Sequence, residues 1–439
     1  MFLNKRSIAA VLLLGVVISP LLAPGGADAI PAFSRQHKTE CSTCHTIYPE
    51  LNEFGDAFLK NSFVWPGTKG GAASVAGQSE QSAAKSGSGE WAWISGLPEQ
   101  IPISFTGTAD LAYDNDAFDG NQLDLSARSL RLHAGGAFRD SVGFFATYNL
   151  YTQGMQAGQI NAPGNSTNTP PSNSTNINEM FVVWRHALQT PINIKVGRFE
   201  PKLSLWKRSN RVIGVPSYAS TAYFVGNSPF SVDAPQDGVE VSALIGNRLL
   251  LAGGVVDRNG QNRKEGYGHA SYKIGGTDFL GHEPEVDLES DSVWDFLTIT
   301  LGAFGYSGRN GRFDNLGIAQ NLNEFYRVGG EVDLLYKRLR LKGSGTFGND
   351  SNPLFANVAA EFDSHAYAFE GEYYLGAPVN LVPLFRYEYQ KGLRGGTRRY
   401  IPAIAYAPLQ NTRISLQYIH TDAPEGTNKT ALASLAFSL

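Results

Sequence analysis

In three stretches, 325–336, 338–347 and 379–390, apolar side chains alternate with polar or charged ones. Tyr326, Val328, Val332, Leu334 and Tyr336 oppose Arg327, Glu331 and Asp333. Leu339, Leu341, Gly343, Gly345 and Phe347 oppose Arg338, Arg340, Lys342, Ser344 and Thr346. Val379, Leu381, Pro383, Phe385, Tyr387 and Tyr389 oppose Asn380, Arg386, Glu388 and Gln390. A period of two is a strand period, and a helix would scatter these residues around its surface. One face is apolar and the other carries charges of both signs. In a soluble sandwich the charges face bulk water. In a membrane barrel the apolar face meets lipid and the charges line the lumen.

Two further patterns favour the barrel. Alternating segments fall near 102–114, 122–138, 141–153, 177–187, 190–199, 237–246, 248–257, 265–275, 293–307, 323–337, 338–348, 364–375, 379–391, 396–408, 411–421 and 430–439, an even set of sixteen. Their connections alternate in length. Short turns near Arg139-Asp140, Leu188-Gln189, Gly246-Asn247, Lys337, Gly376-Ala377-Pro378 and Leu409-Gln410 face longer links at 115–121, 154–176, 200–236, 308–322 and 349–363. Bacterial barrels carry short turns on the periplasmic side and long loops outside. The acidic stretch 276–292 breaks the pattern: either that turn is elaborated or the count is off by two. The last segment alternates through Ala431, Ala433, Leu435, Phe437 and Leu439, as a closing strand does. The expected fold is all-β, a transmembrane antiparallel barrel of about sixteen strands over 101–439.

Composition agrees. Charged residues make up 17% of 439 and Gly numbers 48, which is charge-poor for a soluble protein. The net charge of −4 gives no basis for nucleic acid as a partner. No later stretch is long and apolar enough for a membrane helix. Lys5 and Arg6, the apolar run Ile8 to Ile18, and Ala27-Asp28-Ala29 read as a cleaved export signal over 1–29. Residues 67–100 begin with a Gly-, Ala-, Ser- and Gln-rich stretch and read as a flexible linker.

Between signal and linker, residues 30–66 hold both cysteines of the chain, in Cys41-Ser42-Thr43-Cys44-His45. This is the attachment motif for a c-type haem. Two thiols three positions apart add to the two vinyl groups of one haem, and the adjacent His45 ligates the iron. A zinc site needs more ligands at suitable spacing, and a CxxC oxidoreductase needs a βαβ context. The expected cofactor is therefore one covalent haem c, bound by Cys41, Cys44 and His45, with His45 on the metal. The distal ligand stays open between His37, a barrel-wall histidine such as His133 or His365, and no ligand. Residues 30–100 contain no Met. Leu51, Phe54 and Phe58 share one face of a short helix, suited to packing on the haem edge. The acidic residues Asp114, Asp116 and Asp119 read as a solvated loop rim.

The flanks are specific. Pro31-Ala32-Phe33-Ser34-Arg35-Gln36 precedes the motif. Tyr48-Pro49-Glu50-Leu51-Asn52-Glu53-Phe54-Gly55-Asp56-Ala57-Phe58-Leu59-Lys60-Asn61 follows it. Residues 31–61 resemble the haem segment of the outer-membrane fused monohaem cytochrome–porin proteins, a group that includes iron oxidases. That pattern runs P-x-F-[AS]-R-Q, CxxCH, then Y-P-x-L-x-x-F-G-x-x-F-K. The chain departs from it at Asp56-Ala57, where the family tends to be basic, and at His37. The resemblance implies an outer-membrane electron carrier that takes electrons from an extracellular donor such as Fe(II) and passes them to periplasmic c-type cytochromes, an Fe(II):cytochrome c oxidoreductase activity. Its partners are then outer-membrane lipid, the external donor and those cytochromes. A solute porin with a tethered haem carrier or sensor is the alternative, and so is a conduit working outward.

Overall fold

The alternation places its two faces where the barrel reading puts them. The computed structural model describes residues 32–37, 39–66, 103–115, 122–138, 141–152, 177–207, 210–215, 217, 219, 223–257, 264–283, 293–313 and 319–439. The expected signal at 1–29 and linker at 67–100 lie outside the described residues.

Sixteen antiparallel strands close into one barrel. In chain order they are β1 (Ile103–Asp114), β2 (Leu123–Phe138), β3 (Val142–Thr152), β4 (Ile177–Trp184), β5 (Ile192–Phe199), β6 (Gln236–Ile245), β7 (Leu249–Asp257) and β8 (Glu265–Ile274). There follow β9 (Leu297–Phe313), β10 (Ala319–Tyr336), β11 (Leu339–Asp350), β12 (Phe362–Tyr373), β13 (Leu381–Gly392), β14 (Gly395–Tyr406), β15 (Thr412–Ala423) and β16 (Gly426–Ser438). Each pairs with its sequence neighbours, and β16 closes on β1 in the register Leu435↔Ala109. Closure leaves no unpaired sheet edge, the condition for backbone in lipid.

Outward side chains are large and apolar: Phe347 is 62% exposed and Leu416 56%. Their inward neighbours are buried and charged, among them Arg327, Glu331, Lys342, Arg386 and Glu388. Such an exterior is a surface for lipid, not water. No helix among the described residues is long and apolar enough to cross a membrane. The barrel crosses with strands.

The strand count of sixteen stands, but the expected long link 308–322 is strand up to Phe313 and again from Ala319. The acidic stretch is described over 276–283, where it forms an elaborated turn at the short-turn end. Phe279 is buried there, Asp278 caps the turn through the Leu280 and His282 N–H groups (2.9 Å each), and a short helix, Val293–Phe296, leads into β9. At the long-loop end the last two connections, 393–394 and 424–425, are as tight as any turn.

The long link between β5 and β6 turns inward. Ser204 Oγ donates to Glu331 (2.7 Å), and Trp206 Nε1 to Asp333 (2.9 Å). The Val215 carbonyl accepts from Arg386 (2.7 Å) and the Ala219 carbonyl from Thr346 (2.9 Å). These partners are lumen-facing, so the link is a strap inside the barrel. It leaves through a small hairpin, Tyr223–Val225 with Ser228–Phe230. That hairpin is latched at the long-loop end, where the Asn227 N–H donates to Pro353 O (2.8 Å) and Ser228 Oγ accepts from Asn310 and Asn323 (2.9 Å each).

Candidate functional site

Residues 32–66 fill the other end of the lumen. Helix α1 (Ala32–His37) leads to a tight turn, Cys41–Thr43. A two-stranded ladder, His45–Ile47 with Glu50–Leu51, and helix α2 (Glu53–Lys60) follow. Asn52 joins motif to helix. Its side-chain oxygen accepts from the Gly55 N–H (2.9 Å) and caps α2, while its amide donates to the Ser42 and Thr43 carbonyls (3.2 and 3.0 Å). Such a cap contributes about 1 kcal/mol to a helix. Gly55 lets the two pieces touch: a Cβ there would lie 2.1 Å from the Cys44 carbonyl oxygen.

Phe54 and Phe58 share α2 as expected, but Leu51 does not, because Asn52 caps the helix after it and Leu51 pairs in the ladder instead. Phe58 meets Phe33 edge-on at 5.1 Å, and Phe54 meets Trp65 at 5.0 Å. Phe63 stacks on Phe33 (5.3 Å) and on Phe145 of β3 (5.4 Å). The aromatic cluster thus runs from the segment into the wall.

Polar contacts complete the seat. Glu50 is buried between Arg340 Nη1 (2.8 Å) and Lys342 Nζ of β11. Lys342 also holds Glu372 of β12 (2.6 Å). Lys273 of β8 pairs with Glu53 (3.0 Å), Arg185 donates to Asn61 (2.6 Å), and Gln410 accepts from the Cys41 N–H (3.1 Å). These anchors lie at the short-turn end on opposite walls. The strap meets the segment too: the Leu51 N–H donates to Asn210, and Ile47 packs in one cluster with Val212 and Ile213.

The three expected site residues come together on this scaffold. Cys41 and Cys44 are both free thiols. Burial pushes the Cys44 thiol up to about 11 and raises Cys41 as well. Among the described residues no group of three or more His, Cys, Asp and Glu is arranged to hold a metal ion. His45 Nδ1 lies 3.1 Å from Pro49 O and 3.3 Å from Glu50 O. Two carbonyls can only accept, so Nδ1 carries the proton and the Nε2 lone pair is left for a ligand. Burial lowers the pKa of His45 and keeps it neutral. A cavity of about 610 Å³ opens beside Thr43 and His45 and extends to Lys273, Lys337 and Arg338. That size suits a cofactor. Neither cysteine lines that cavity, so what fits a c-type haem is the donor set itself, two thiols beside a neutral imidazole with a free nitrogen.

The expected distal alternatives separate. His133 faces the lumen, but Thr106 (2.8 Å) and Thr147 (3.0 Å) occupy both its ring nitrogens. His365 stacks on Tyr389 on the outer face. Of the acidic rim, Asp114 takes the Asn428 amide (3.0 Å), while 116 and 119 lie outside the described residues.

No protein-family model and no curated protein matches the chain. Solved porins do match in fold. An anion-selective porin from Comamonas acidovorans aligns over 77% of this chain and 100% of its own, at 10% identity and a TM-score of 0.51. OprB of Pseudomonas putida covers 77% and 94%, at 10% identity and 0.47. A loop-deletion form of OmpT, an outer membrane protein of Vibrio cholerae, covers 77% and 99%, at 11% identity and 0.46. At such identities the likeness is one of fold.

Proposed function

We propose that the chain is an outer-membrane electron conduit built on one covalent c-type haem, held by Cys41, Cys44 and His45 inside the barrel at its periplasmic end. Electrons pass between an extracellular donor, Fe(II) foremost, and periplasmic c-type cytochromes. The observation that carries this reading is the seat of residues 32–66. Glu50 is clamped by Arg340 and Lys342, and Phe63 is stacked on Phe145. A carrier or sensor on a tether has no need of such anchors. The apolar band of an outer-membrane barrel is an insulator about 25 Å tall, and a redox centre inside the lumen shortens the gap electrons must cross.

The bound haem supplies a one-electron couple. The chain's residues do the rest. The thioether bonds formed by Cys41 and Cys44 keep the group from being lost outside the cytoplasm. The Pro49 and Glu50 carbonyls orient His45 and raise its basicity through Nδ1–H. The lumen's buried charges set the local field on the couple.

The porin fold favours a second reading, a solute channel, but strap and segment together occupy the lumen that solutes need. A conduit running outward keeps every residue role and reverses only the driving force.

Stopped-flow absorbance of the oxidised protein in detergent, mixed with Fe(II), tests the proposal. Rapid growth of a reduced c-type spectrum is expected. Cys41→Ala with Cys44→Ala should abolish covalent haem while the barrel still shows heat-modifiable mobility on a gel. Covalent haem retained in that variant, or a haem that dithionite reduces and Fe(II) does not, overturns respectively the haem site and the iron donor.

A further inference from the structure

The chain's eight histidines can be sorted by what their ring nitrogens meet. His45 is committed through Nδ1 to two carbonyls, and His133 is bonded at both nitrogens. His282 lies 3.0 Å from Asp278, and His420 3.2 Å from Asp422. His365 is on the outer face, and His186 is exposed on a turn with φ 48°. Two remain whose buried ring nitrogens meet no hydrogen-bond partner among the described residues: Nε2 of His37, and both nitrogens of His269. Methionine offers no substitute. Met180 points outward, 54% exposed, and Met155 lies outside the described residues.

His269 belongs to β8, 3.9 Å from Glu331. Glu331 in turn accepts from the strap at Ser204 Oγ and the Leu205 N–H. It sits under the strap and not beside the motif. His37 is part of the haem segment itself. Its ring lies 4.5 Å from Trp65 and meets Phe58 edge-on at 5.6 Å. The neighbouring Gln36 Oε1 is likewise buried without a partner. Buried polar atoms are nearly always satisfied, so an orphaned imidazole nitrogen against an aromatic wall marks a place for a ligand. Residues 38–40 join His37 to Cys41. That link is folded, with the Thr39 N–H donating to Ser34 O (3.0 Å) and Thr39 Oγ1 lying 2.6 Å from Thr43 Oγ1.

We propose that His37 Nε2 would be the second protein ligand of the haem iron beside His45, so that the chain carries a bis-histidine haem c. This rests on the haem reading above. The bond is a lone-pair donation from a neutral imidazole to iron, with no redox change and no proton released. It fills the sixth position, so the iron exchanges electrons without binding small ligands. It also places the couple below that of a Met/His site.

The test uses the full-length protein with covalent haem. Electron paramagnetic resonance and near-infrared magnetic circular dichroism of the ferric form should show a low-spin bis-imidazole iron. His37→Ala should convert it to high spin, restore low spin on adding imidazole, and speed carbon monoxide binding to the ferrous form at least tenfold. His37→Met, which keeps a ligand in place, should replace the bis-imidazole signature with that of a sulfur–iron bond. His269→Ala should leave the parent spectrum unchanged. A bis-imidazole signal surviving in His37→Ala or His37→Met overturns the inference, as does its loss in His269→Ala with His37 intact. A parent protein without covalent haem overturns instead the reading on which it rests.

Discussion

Gly55 shows how one missing methyl group shapes the site. The Cys44 carbonyl oxygen lies where a Cβ would be, so α2 rests directly on the motif's backbone, with Asn52 tying the two together. Gly55→Ala forces helix and motif apart. Overpacking of this kind costs about 1–3 kcal/mol. The expected outcome is a lower ratio of covalent haem to protein, measured by haem staining against total chain, and a lower Tm of the assembled protein. An unchanged ratio and Tm would show that the contact relaxes freely. At this scale the sequence was most informative: Cys41, Cys44, His45 and the apolar positions Phe54 and Phe58 are read from spacing alone. Glu50 was not legible as an anchor. It stands in a polar stretch, and its partners Arg340 and Lys342 are nearly three hundred positions away. No local pattern encodes such a pair.

Among the elements, the strap between β5 and β6 is the least ordinary. It carries Glu200, whose carboxyl is pushed up to about 8. Burial is the largest cause, and Asp233 and Glu179 add to it against the pull of Lys207. Below the ordinary carboxylate range, Glu200 is protonated whether the strap is packed or loose. Between about pH 4.5 and 8 the loose strap ionises while the packed one holds its proton, so packing weakens as pH rises and levels off above 8. Hydrogen exchange over residues 203–215, corrected for intrinsic rate, should therefore accelerate from pH 5 to 8, and Glu200→Gln should remove that trend. Acceleration of equal size in the variant would place the pH response elsewhere. The link reads as a loop because it has no period of two. Its content pointed further. Leu203, Leu205, Trp206, Val212, Ile213 and Val215 are too many apolar residues for an exposed connection, and all are buried. The stretch 276–292 misled for the opposite reason, since its acidic composition hides the buried Phe279.

In the whole molecule, a lumen filled from both ends should pass few ions. In planar bilayers the intact protein should conduct at least tenfold less than a form with residues 203–219 replaced by a short Gly/Ser link, and the altered form should keep its covalent haem. Equal conductance in the two would return the solute-channel reading to first place. The barrel itself was legible throughout, because period-two alternation, even strand number and turn length all follow from one constraint, the lack of hydrogen-bond partners in lipid. What lies inside was not, because filling a lumen imposes no period. The seat of residues 32–66 also fixes an order of events. Its anchors reach β3, β8, β11 and the turn after β14, so the wall that holds it is complete only when late strands have joined early ones. Thioether formation needs open access to Cys41, which is buried once that wall stands. On the proposed haem reading, attachment therefore precedes closure, and the barrel seals over a cargo loaded during its own assembly.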